Sequence, residues 1–111
     1  MLEVRAYIQA DGRKPFAKWF EALDPAAAAK VTVAIARMET GNLSNTKSVG
    51  DGVLEFRIDF GPGYRIYFGR DGHALVILLA GGTKQRQRMD IATAKVRWAD
   101  YKTRKRLEGR S

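Results

Sequence analysis

The chain is expected to fold as α+β in the order β-α-α-β-β-β-α. A mainly antiparallel, twisted sheet carries a helical hairpin on one face and is completed by a C-terminal helix. Three observations lead there. Short stretches alternate apolar and polar residues at the period of a strand, stripes at helical spacing separate and follow them, and the last three strands are joined by turns too tight for a crossover. At 111 residues there is one core and one domain, 1–111, ending in a basic tail at about 103–111.

Leu2, Val4, Ala6 and Ile8 occupy one side of the first strand, which Asp11-Gly12 ends. Pro15 opens a short helix bearing Phe16, Trp19, Phe20 and Leu23. Asp24-Pro25 forms the N-cap and first turn of a second helix, whose stripe is Ala27, Val31, Ile35 and Met38 and whose stop is Gly41. The polar segment from Asn42 to Asp51 reads as a loop.

In the following hairpin, Leu54, Phe56, Ile58 and Phe60 share one side of a strand and Val53, Glu55, Arg57 and Asp59 the other. After Gly61-Pro62-Gly63, Arg65 and Tyr67 alternate with Tyr64, Ile66 and Phe68. One sheet face is therefore apolar. The other holds a carboxylate, two guanidinium groups and a phenol, a surface suited to an anion, and Arg65 is expected to be exposed there. Asp71-Gly72 turns the chain into Leu75–Leu79, apolar on both sides and so a central strand. Gly81-Gly82 leads to a last helix carrying Ile91, Ala94, Trp98 and Tyr101.

Charge narrows the partner. Twenty Lys/Arg against twelve Asp/Glu give +8, and half of the basic residues lie between Lys84 and Arg110. Such a field favours nucleic acid or an acidic protein over a neutral ligand. Without cysteine, disulfides and thiolate metal sites are excluded, and a single histidine leaves little for zinc. No cofactor and no metal are expected, no run is long enough for a membrane span, and the chain reads as cytoplasmic.

Strand directions bring one set of residues together. Arg57 immediately precedes the Gly61–Gly63 turn and Arg65 follows it, and the next strand returns to the same end before Lys84. Three cations thus converge, with Glu55 and Tyr67 on the same face. Two glycines before Lys84 permit close backbone approach to a phosphate. Arg matches phosphate oxygens with a permanent charge. Glu55 is the available proton-transfer group, although cross-strand pairing with Arg57 or Arg65 accounts for it equally. Gln87 and Arg88, at the start of the last helix, join Arg57, Arg65, Tyr67 and Lys84 as expected substrate contacts; from position alone, Gln87 and Asp90 read as helix caps. His73 sits at the far end of the hairpin, seven residues or roughly 20 Å away. Phe16, Trp19 and Trp98 read as core or helix-seam residues.

The element order, the segment GVLEFRIDFGPGYRIYF and the run LLAGGTKQRQRMDIATA resemble the RelE/ParE toxin superfamily, and within it the HigB-like, phage-derived addiction module killer branch. The resemblance spans Leu2 to about Lys102. It implies a RelE-like fold and a type II toxin held silent by a cognate antitoxin, expected to be of helix-turn-helix type and to lie across exposed apolar surface. Superfamily members either cut mRNA on the ribosome or inhibit DNA gyrase. The first activity, as the resemblance implies it, is metal-independent attack by the RNA's own 2′-hydroxyl, which needs in-line geometry, cations for the phosphorane and groups to move protons. The resemblance implies phosphate contact for Arg65 and Lys84 and acid–base or basic roles for Glu55 and Arg57, with ribosome and mRNA as partners. A plain nucleic-acid-binding module, including a decayed toxin, is the remaining class, and the tail from Lys102 to Arg110 is either a ribosomal RNA contact or disordered.

Overall fold

Tight turns and one long crossover generate a five-stranded sheet. The computed structural model describes residues 1–109, with β1 (Glu3–Ala6), α1 (Pro15–Glu21), α2 (Pro25–Glu39), β2 (Thr46–Gly50), β3 (Val53–Ile58), β4 (Tyr64–Asp71), β5 (Leu75–Thr83) and α3 (Gln87–Glu108). The strand order is β1-β5-β4-β3-β2. Strands β2 to β5 pair antiparallel, and β1 joins β5 in parallel. Among the described residues no helix is long and apolar enough to cross a membrane.

The expected α+β order holds, with one strand added. Residues 46–50, read as loop, form β2 on the free edge of the sheet. Its backbone pairs with β3 although its side chains, Val49 apart, are polar or absent and mostly exposed. An edge strand needs no apolar alternation to be held by a ladder, so composition hid it. Gly50, Asp51 and Gly52 all have positive φ and turn the chain into β3.

Each sheet face has its own core. On one, Phe56, Ile58, Ile66, Phe68, Val76 and Leu78 pack against Phe16, Ala27, Val31, Ala34 and Met38 of α1 and α2. The Asp24 carboxylate caps α2 by accepting from Ala27 N at 2.8 Å. On the other face, Tyr7, Val53, Tyr67, Ile77, Leu79 and Ala80 pack against Ala94 and Trp98 of α3. Strand β5 feeds both cores, as its two-sided apolar run predicts. Ile8 departs from expectation: β1 ends at Ala6, Ile8 is largely exposed, and Tyr7 turns into the α3 side.

The consequential difference is that α3 lies on the polar face, so the row expected to face solvent is half roofed. The expected basic tail is also ordered further than its charge implies. Lys102 to Glu108 are the last two turns of α3, while Arg110 lies outside the described residues.

Candidate active site

Two cross-strand rows define the site. Lys47, Glu55, Tyr67 and Ala80 are direct partners across β2, β3, β4 and β5; one row on, Arg57 faces Arg65, which faces Gly82. Alternation puts these side chains on the α3 face. Two residues beyond Gly82, Lys84 opens a short 3₁₀ turn over Lys84–Arg86. Lys84 N donates to Gly63 O at 2.8 Å. Gly63, at φ +80°, has the backbone conformation that favours glycine, and a β-carbon there would stand 2.9 Å from Arg65 Nη1 and 3.7 Å from Lys84 Cβ. The three expected cations, Arg57, Arg65 and Lys84, therefore converge.

The first turn of α3 closes over the inner part of this cluster. Gln87 Nε2 donates to Glu55 Oε2 at 2.7 Å, and Lys47 Nζ stands 3.8 Å from Glu55 Oε1. Asp90 presses onto Gly82, where a β-carbon would meet Asp90 Oδ2 at 1.8 Å. Glu55 and Tyr67 are fully buried and Arg65 is 8% exposed, which corrects the expectation of an exposed Arg65. Its substitution by Ala would remove packing as well as charge.

Burial leaves polar atoms without hydrogen bonds. Glu55 Oε1, Arg65 Nε, Tyr67 Oη and Asp90 Oδ2 are buried and make no hydrogen bond, and all four belong to this cluster. Buried polar atoms are normally satisfied, so a group of four makes this cluster the candidate functional site. Burial, then the neighbouring Glu55 carboxylate, raises the Tyr67 phenol well above its ordinary range, although the two form no hydrogen bond of regular geometry. Burial also raises the Asp90 carboxyl, against the pull of Arg86 and Arg97.

Around this inner layer lies an outer one. Arg57, Lys84, Arg86 and Arg88 are exposed, and among the described residues none of their side chains is in an ion pair. The expected pairing of Glu55 with Arg57 or Arg65 does not occur; Lys47 and Gln87 take that place. Neither Gln87 nor Asp90 caps α3, whose N-cap is Arg86 without a side-chain bond. The glycines before Lys84 make room for side chains of the protein itself. Gly81 lies under the Trp19 ring and Gly82 under Asp90, and a side chain at either position would collide. His73 sits exposed in the β4–β5 turn, six pairs along β4 from Arg65.

Two cluster members escaped sequence reasoning as site residues: Lys47, hidden in a presumed loop, and Asp90, read as a cap. The Lys84-x-x-Gln87-x-x-Asp90 spacing places the latter two on one turn of helix and was the available signal.

The family described as Phage derived protein Gp49-like matches residues 18–99, a span that contains every residue of the cluster. The chain belongs to the Gp49-like family. An uncharacterized Haemophilus influenzae protein is 49% identical over 70 residues, 63% of this chain and 71% of that protein. No solved structure matches the chain. The Gp49-like family is phage-derived and related to toxin–antitoxin systems, which implies an antitoxin as partner.

Proposed function

We propose that this chain is the toxin of a type II toxin–antitoxin module and that it cuts mRNA on the ribosome without a metal. The observation that carries this reading is the two-layer cluster: four buried polar atoms without hydrogen bonds beneath exposed Arg57 and Lys84, which make no ion pair. In the reaction, the 2′-oxygen attacks the adjacent phosphorus, the bond to the 5′-oxygen breaks, and one proton passes in net from the first oxygen to the second. Arg57, Arg65 and Lys84 stabilise the crowded, doubly charged phosphorane and hold the chain in line. Glu55 is inaccessible and clamped by Gln87 and Lys47, so its role is to position these two rather than to touch RNA. Catalysis then rests on alignment and charge, which suits a substrate already held in the ribosome. The antitoxin, of helix-turn-helix type in this reading, silences the site by covering it.

The test is to induce the chain in cells and map new mRNA 5′ ends. Arg57→Ala and Lys84→Ala, both at exposed positions, should each reduce cleavage about 100-fold or more while the melting temperature stays near wild type. Arrested growth with intact messages would overturn the nuclease reading and point to gyrase inhibition.

A further inference from the structure

Beside the cation cluster, at the free edge of the sheet, lies a second concavity. It measures about 270 Å³ and is lined by Ser44, Asn45, Thr46, Lys47, Arg57 and Asp59. It shares Arg57 and Lys47 with the cluster, so a strand held on Arg57 continues into it.

The wall of this groove is fixed by its own side chains. Asn42 Oδ1 accepts from Ser44 N at 3.3 Å and from Ser44 Oγ at 2.9 Å, and Thr46 Oγ1 donates to Leu43 O at 2.6 Å. Arg57 N donates to Asn45 O at 3.2 Å, which ties the loop to β3. Among the described residues, the side chains of Asn45, Arg57 and Asp59 remain without hydrogen bond or ion pair. Arg57 near the end of β3 and Asp59 just beyond it both line the concavity, are opposite in charge, and form no ion pair. A rigid wall with unspent donors and acceptors is preorganised for a ligand.

The mixture of charge says which part of RNA fits. Asp59 makes this groove less suited to a phosphate than the carboxylate-free outer layer of Arg57 and Lys84, whereas a base edge is read by such a mixed set. A carboxylate accepts from two adjacent N–H donors. Guanine alone among the four bases offers that pair on its Watson–Crick edge, with a carbonyl beside it for an amide N–H. Cytosine and adenine place an acceptor next to their amino group, and uracil flanks its single N–H with two carbonyls. We infer that the groove between Asn45 and Asp59 is a base-reading subsite for an unpaired guanine next to the phosphate held by Arg57. The subsite rests on reading the cluster as an RNA site.

Fluorescence anisotropy of the purified full chain with labelled UUGUU and UUUUU tests it without requiring cleavage. UUGUU should bind roughly tenfold more tightly, and Asp59→Asn should bring the ratio of the two affinities close to one. Equal wild-type affinities, or a ratio unchanged by Asp59→Asn, would overturn the subsite; if that variant fails to fold, the wild-type ratio decides alone. Mapping cut sites in cells separates the two readings. Guanine preference in binding with no cuts removes the nuclease and keeps the subsite, while cuts with no fixed guanine remove the subsite and keep the nuclease.

Discussion

The two ends of α3 rest on the same sheet face, yet their chemistry is opposite. At the C-terminal end Asp100, Tyr101, Arg104 and Lys105 are all paired. Tyr101 Oη donates to Asp71 Oδ2 at 2.5 Å and Lys105 binds the same carboxylate. Tyr7 Oη donates to Asp100 Oδ2 at 2.5 Å, and Arg104 Nε donates to that oxygen at 2.9 Å. Trp98 stacks on Tyr101 with ring centroids 5.2 Å apart. The N-terminal end holds one good side-chain bond, from Gln87 to Glu55, and all four orphaned atoms. The paired end anchors the helix, and the other end is kept incomplete at a cost in stability. Natural proteins tolerate such groups chiefly where a ligand completes them.

Two glycines under the helix probe this contrast most strongly. A β-carbon at Gly69 would stand 2.5 Å from the Trp98 ring, a large buried group fixed by stacking. Gly69→Ala should therefore cost about 3 kcal/mol in urea unfolding. At Gly82 the obstacle is the Asp90 carboxylate, which a side-chain rotation can withdraw, so Gly82→Ala should cost only about 1 kcal/mol. Equal costs would show that the N-terminal turn is as rigidly held as the rest of α3.

The next effect is electrostatic. Lys105, then Tyr101, hold the Asp71 carboxyl below its ordinary value of 3.8. A carboxyl depressed by folding stabilises the protein above its unfolded pKa, and this stability is lost as pH falls through the folded value. Asp71→Asn should destabilise by about 1–2 kcal/mol at neutral pH, the exposed Lys105 being partly screened by solvent. The difference from wild type should close below about pH 4. A gap that persists in acid would mean that Asp71 acts through packing and not through its charge.

Which parts of this contrast were legible in the sequence follows from what each part depends on. Alternation along β3 and β4 and the Gly61–Gly63 turn determine which residues share a face, so the meeting of Arg57, Arg65 and Lys84 could be read directly. Where α3 would lie could not, because a basic helix with Ile91, Ala94 and Trp98 can seat on either sheet face. Its seat on the polar face is fixed by tertiary fit: Trp98 into the gaps at Gly52 and Gly69, and Asp90 onto Gly82. That single placement buries Arg65 and Glu55 and turns Gln87 from a cap into a Glu55 ligand. Strand β2 was illegible for the opposite reason, since an edge strand is defined by its neighbour's backbone and not by its own side chains.

The smallest effect separates the two ends most cleanly, because it uses one oxygen atom at each. Tyr101 gives its hydroxyl proton to Asp71, and burial together with that bond pushes the phenol up to about 12. Removing the oxygen in Tyr101→Phe loses a made bond and should destabilise by about 1 kcal/mol, near 4 °C in melting temperature. Tyr67 Oη is buried without a partner, so Tyr67→Phe removes an unsatisfied group and should stabilise by up to about 1 kcal/mol. The signs are opposite for the same chemical change. Thermal melts with a short RNA present add a second reading: if RNA completes the orphaned end, Tyr67→Phe should gain less protection from it than wild type, and Tyr101→Phe should gain the same. Two variants destabilised alike would mean that the Tyr67 hydroxyl is already satisfied in the resting fold, and the distinction between an anchored and an incomplete end of α3 would fall.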